Sequence, residues 1–122
     1  MISKARIYSY SKCTTCRKAL KWLSDNNIDF ELIDIINSPP TKELLMEAAK
    51  QLGTRKALFN TSGLSYRSLG SSVVKAMSDN EALKALASDG KLVKRPFLIT
   101  HKGKILVGFK PEVWTEDLLS GS

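Results

Sequence analysis

Ala5-Arg6-Ile7-Tyr8-Ser9-Tyr10-Ser11-Lys12-Cys13-Thr14-Thr15-Cys16-Arg17-Lys18-Ala19 is the stretch on which the reading of this chain turns. Residues 5–9 read as a short buried strand. From about Thr15 to Asn26 the apolar residues change to helical spacing, with Ala19, Leu20, Trp22 and Leu23 on one side and Lys18, Lys21 and Asp25 facing out. The chain's two cysteines fall where strand hands over to helix. A sulfur placed there meets unpaired backbone N–H groups and the positive end of the helix dipole, with Arg17 and Lys18 close behind. These influences favour the thiolate, which is the reactive form. Cys13 therefore reads as a nucleophile and Cys16 as a partner able to capture it in a disulfide. The same spacing can supply two zinc ligands, but a closed structural site needs four, and His101 is the one further strong candidate. No metal site is expected; a packing role for the pair is the remaining alternative.

Working outward, Asn26-Asn27 closes the helix, and residues 30–35 read as a second strand, parallel to the first across a right-handed crossover. Ser38-Pro39-Pro40-Thr41 announces another helix, with Thr41 as its N-cap and Leu44, Leu45, Ala48, Ala49 and Leu52 on its buried face; Gly53 ends it. Between 54 and 77 the pattern weakens to short helical pieces at about 55–59 and 66–69. Ser78-Asp79-Asn80-Glu81 is a capping box opening a helix with Leu83, Leu86 and Ala87. Arg95-Pro96 then leads into a hairpin of strands 97–100 and 104–108, and residues 111–119 form a last helix with Val113, Trp114 and Leu118 inward. The order β-α-β, helices, β-β-α predicts an α/β, thioredoxin-like fold: a mixed sheet of about four strands in a single domain over 1–122, with a helical insert at about 41–89.

Composition sets further bounds. With 122 residues, 43% hydrophobic and 25% charged, the chain can bury a core without staples. Two cysteines make no disulfide framework, the first residues lack the apolar core of a signal peptide, and no apolar run approaches a membrane span. A cytoplasmic, monomeric protein with no membrane partner is expected. The net charge of +7 arises from 19 Lys+Arg against 12 Asp+Glu. Those cations are scattered without interleaved aromatics, so direct nucleic-acid binding is not expected. They read first as a solvated basic surface; the alternative is an electropositive rim around the thiol from Lys12, Arg17, Lys18 and Lys21, suited to a glutathione carboxylate or an oxyanion.

The chain resembles the arsenate reductase-like family, the ArsC/Spx group, over nearly its whole length. The resemblance is carried by Tyr8 to Ala19, Pro39-Pro40-Thr41-Lys42-Glu43-Leu44, Phe59-Asn60-Thr61-Ser62-Gly63, Tyr66-Arg67, Leu92-Val93-Lys94-Arg95-Pro96 and Val107-Gly108-Phe109. It implies that Cys13 is the nucleophile, that Arg95 supplies positive charge beside it, and that a cis Arg95-Pro96 bond faces the thiol. It further implies a substrate-binding surface from Lys12, Thr14, Thr15, Asn60 and Pro96. Arsenate reductases of this group hold the oxyanion with three arginines. Here Arg95 remains, while Asn60 and Gly108 stand at the other two places, so strong arsenate activity is not expected. Arg67 and Lys110 are the candidates to compensate. The Cys-x-x-Cys pair resembles the redox-regulated, Spx-like branch and an uncharacterised reductase-like subgroup rather than the single-cysteine reductases. Cys16 would then resolve the Cys13 intermediate as a Cys13–Cys16 disulfide. The resemblance implies a small thiol or protein disulfide as substrate, no bound cofactor, and glutathione or thioredoxin as reductant. The Spx branch implies instead a redox sensor that binds the α-subunit of RNA polymerase.

Overall fold

Alternating side chains in Ala5–Ser9 (β1) send Ala5 and Ile7 to one face of the sheet and Tyr8 to the other. The computed structural model describes residues 4–119. In chain order, β1 is followed by Thr14–Asp25 (α1), Phe30–Asp34 (β2), Lys42–Leu52 (α2), Leu64–Leu69 (α3), Ser71–Ala76 (α4), Asp79–Ser88 (α5), Phe97–Ile99 (β3), Ile105–Val107 (β4) and Pro111–Leu118 (α6). Two 3₁₀ turns, Lys56–Leu58 and Gly90–Leu92, flank the helices of the middle stretch. The four strands lie in the order β2-β1-β3-β4, with β1 parallel to β2 and antiparallel to β3, and β3 antiparallel to β4. This is the mixed, thioredoxin-like sheet that the sequence pattern predicts.

The chain divides into two compact units, one made of the residues up to Asp34 and from Arg95 onward, the other Ile35–Lys94. In the first, Ala5 and Ile7 of β1 join Ala19 and Leu23 of α1, Leu98 of β3, Leu106 of β4 and Trp114 of α6 in one apolar core. Trp114 is buried beneath an aromatic group, edge-on to Phe109 at 4.9 Å and to Trp22 at 5.9 Å between ring centres. That core fixes where α1 begins, and so where the cysteines sit. In the second unit, Leu45 and Ala48 of α2 and Ala82, Leu83 and Leu86 of α5 are buried where the two helices meet. Thr41 caps α2 through its hydroxyl, Gly53 ends it at φ 79°, and Ser78 and Glu81 form both bonds of the capping box. Gly90 passes so close to the Ile35 carbonyl that a Cβ would stand 1.9 Å from that oxygen.

The structure adjusts several expectations. The helix expected over 15–26 starts one residue sooner and stops at Asp25, because Cys13 takes the cap position and Asn26 already bonds back to Trp22. β2 ends at Asp34 rather than 35, and the hairpin strands are shorter, since Thr100 turns inward to accept the N–H groups of Lys102 and Lys104. The helix expected over 111–119 ends at Leu118, and its Val113, expected inward, is exposed. Only Trp114 of that helix is fully buried. α4 had no counterpart in the sequence reading.

Candidate active site at the start of the first helix

Cys13 is the N-cap of α1, with extended backbone at φ −102° and ψ 116°. Its own N–H donates to the Tyr10 carbonyl at 3.0 Å and its carbonyl accepts from Arg17 N–H at 3.1 Å, so the residue is held on both sides. Its Sγ takes the place that a serine or aspartate oxygen takes in an ordinary cap, accepting the Cys16 N–H at 3.3 Å. The thiol is half-buried, whereas Cys16, one turn into the helix, is fully buried. Both are free thiols.

Opposing influences act on the two sulfurs. Burial pushes the Cys13 thiol up. This is outweighed by the Cys16 side chain and N–H, both donating to Sγ, and by the Arg95 guanidinium, which hydrogen-bonds the sulfur and adds its charge. The result is a thiol below its ordinary value. Cys16 is pushed up to about 11, by burial first and then by the facing Cys13 sulfur, against weaker help from the Tyr10 N–H and the Ser9 hydroxyl. A position one turn into the helix would by itself leave Cys16 near the ordinary thiol acidity. Its complete burial opposite the Cys13 sulfur is what moves it upward. Of the two thiols, Cys13 gives up its proton the more readily.

Arg95 and Pro96 stand at the mouth of β3, joined by a cis peptide bond. Pro96 is buried and its carbonyl accepts the Gly108 N–H at 2.9 Å. Arg95 is half-buried and touches Cys13, and its guanidinium carbon stands 5.2 Å from the centre of the Tyr10 ring. Lys12, Thr14 and Thr15 are exposed around the thiol on the loop and the first turn of α1. Asn60 belongs to the second unit. There its N–H donates to the Leu92 carbonyl at 2.8 Å, its carbonyl accepts from Gly63, and its amide contacts Ser62 and the Lys91 carbonyl. Gly108 has φ 72°, a left-handed conformation in which an arginine would be strained.

Two residues at the cysteines escaped the sequence reading. Ser9, the buried last residue of β1, turns its hydroxyl to Cys16; Tyr10 touches both cysteines through its backbone and Arg95 through its ring. Their position just before the cysteine loop was visible, but a polar side chain at a strand end does not announce a sulfur partner. Among the described residues there is no group of three or more His, Cys, Asp or Glu placed to hold a metal. Nor is any helix among the described residues long and apolar enough to cross a membrane.

Sheet order and paired thiols together define a thioredoxin-like protein with the first cysteine of its pair at a helix cap. Residues 8–116 match the model of the ArsC family, and the chain belongs to that family. It is 45% identical over 112 residues to the uncharacterised protein YusI of Bacillus subtilis, covering 90% of this chain and 94% of YusI. The regulatory protein MgsR of Bacillus subtilis is 31% identical over 119 residues, covering 91% of this chain and 87% of MgsR. A crystal structure from Streptococcus mutans, described as "a possible arsenate reductase", superimposes with a TM-score of 0.84 at 40% identity, covering 93% of this chain and 98% of the other. The chain is thus an ArsC-family thiol-redox fold.

Proposed function

We propose that this protein is a thiol–disulfide oxidoreductase of the ArsC family in which Cys13 attacks and Cys16 resolves. The Cys13 thiolate displaces one sulfur of a substrate disulfide, forming a mixed disulfide and releasing the other half as a thiolate. The charge on Cys13 is then gone, and with it the part of the Cys16 pKa elevation that came from facing that charge. Cys16 gives up its proton to solvent and attacks Cys13 Sγ, closing the Cys13–Cys16 disulfide and expelling the second substrate thiolate. Two electrons have passed to substrate. Two glutathione molecules, or the dithiol of a thioredoxin, return them and restore the pair. Lys12, Thr14, Thr15 and Pro96 line the approach.

The observation that carries this reading is the split between the two thiols. Cys13 is stabilised as an anion at a helix cap beside Arg95, while Cys16 is kept protonated one turn deeper. Strong arsenate reduction is not part of the proposal, because the resemblance to arsenate reductases puts Asn60 and Gly108 at the places of two anion-gripping arginines, and the left-handed φ of Gly108 disfavours a side chain there. Each such charge-assisted contact is worth about 1.5–3 kcal/mol. The test is reduction of the mixed disulfide of glutathione and mercaptoethanol, recycled by glutathione with its reductase or by thioredoxin with its reductase. Turnover in one system, lost in Cys13→Ser and absent with arsenate, is expected. No turnover in either system overturns the enzyme reading, and brisk arsenate turnover overturns the substrate argument.

The similarity to the regulatory protein MgsR and to the global transcriptional regulator Spx of Lactiplantibacillus plantarum favours a second reading, a regulator. The resemblance to the Spx branch makes it a redox sensor binding the α-subunit of RNA polymerase. On that reading oxidation of the pair changes affinity for the carboxy-terminal domain of that polymerase subunit, with no catalytic turnover. A pull-down of the reduced and oxidised forms separates the two.

A further inference from the structure

Tyr10 makes three contacts that converge on the thiols. Its carbonyl accepts the Cys13 N–H at 3.0 Å, its N–H donates to the Cys16 sulfur, and its ring lies under the Arg95 guanidinium at 5.2 Å. The first two contacts are made by the backbone and survive a change of side chain to any residue but proline. The third depends on the ring. An arginine side chain has many rotamers, and a guanidinium that is to hydrogen-bond a sulfur must be held in one of them. An aromatic face does this by its quadrupole. Unlike a carboxylate it holds the cation without neutralising it, so the full positive charge still acts on the thiolate. A guanidinium held by its flat face keeps its N–H edge free for another acceptor.

We propose that Tyr10 is a positioning residue of this site, its ring fixing the Arg95 guanidinium against Cys13; the inference rests on the thiol–disulfide reading above. It assigns no contact between Tyr10 and substrate. The ring acts on the sulfur through Arg95 alone.

The test is the pH dependence of Cys13 alkylation by iodoacetamide, with the modified residue identified by peptide mass. In Tyr10→Leu the rate near neutral pH should fall about two- to fivefold, the loss of a partly exposed cation–π contact. At alkaline pH, where Cys13 is all thiolate, the rates should converge. Tyr10→Phe, which keeps the ring, should follow the wild type. In an Arg95→Gln background Tyr10→Leu should add nothing, because the effect passes through the guanidinium. The proposal is overturned if Tyr10→Leu matches the wild type at neutral pH, if it is slower at every pH, or if its effect persists without Arg95. A wild-type Cys13 that titrates like a free cysteine would sink the redox reading as well. A low titration that ignores Tyr10 sinks this inference alone.

Discussion

Replacing Cys16 separates two jobs that the structure gives to one side chain. Cys16 gives Cys13 Sγ two hydrogen bonds, one from its N–H at 3.3 Å and one from its thiol. Cys16→Ala removes the second and keeps the first; Cys16→Ser keeps a donor in both places. A hydrogen bond to a charged acceptor is worth about 1.5–3 kcal/mol, but Cys13 is half-exposed and water replaces part of it. About 1 kcal/mol is the fair expectation, or about a fivefold loss of thiolate at neutral pH. Alkylation of Cys13 should therefore slow about fivefold in Cys16→Ala and stay near wild type in Cys16→Ser. Neither variant can resolve a mixed disulfide, so after oxidised glutathione both should carry one stable glutathione on Cys13. The wild type should end as the internal disulfide with no adduct. Intact-mass analysis reads all three. A lasting adduct on the wild type, or equal labelling of a Cys13→Ser variant, would refute the assigned order of attack.

Other consequences concern stability and pH. Cys16 has a folded-state pKa raised to about 11, against an ordinary thiol value of about 8.5. Its contribution to stability is present below that ordinary value and is lost as pH rises towards about 11, so denaturant midpoints should fall across this window in the wild type and fall less in Cys16→Ala. Cys13 acts with the opposite sign: its lowered pKa contributes stability above the ordinary thiol range, lost as pH falls through its folded value. Gly90→Ala drives a Cβ to within 1.9 Å of the Ile35 carbonyl oxygen, a backbone atom that cannot step aside, and should cost about 3 kcal/mol by denaturant titration. A loss below about 0.5 kcal/mol would mean that this approach relaxes freely. Trp114→Ala should remove about 3–5 kcal/mol, since the ring is buried in the core under α1.

Much of this architecture was legible because local chemistry and global fold agree. Thr41, Gly53, Ser78 and Glu81 occupy the cap positions their side chains or backbone favour, and the four strands follow from runs of apolar residues bounded by turn signals. α4 was not legible. It follows Gly70 and opens on Ser71-Ser72, residues that read as loop, and six residues are too few to show a helical period. Val113 is apolar and near the helix start, yet it is exposed while its neighbour Trp114 is buried, and only packing decides which of the two faces the core. At the site, the place of Cys13 at the strand-to-helix junction could be read from the sequence alone. The proton on Cys16 could not, because its elevation comes from complete burial opposite Cys13. Nor could Tyr10, whose partner Arg95 is far along the chain and is brought to it by the pairing of β1 with β3.

The central claim is that Cys13 and Cys16 form one redox couple, and its most direct test is the reduction potential of the wild type. The protein would be equilibrated in graded mixtures of reduced and oxidised glutathione, quenched in acid and scored by intact mass. The account predicts a single two-electron transition to an internal Cys13–Cys16 disulfide, with a midpoint between about −270 and −120 mV, the span of working dithiol proteins, abolished by replacing either cysteine. Two thiols that oxidise independently, or no internal disulfide at any ratio, would contradict it.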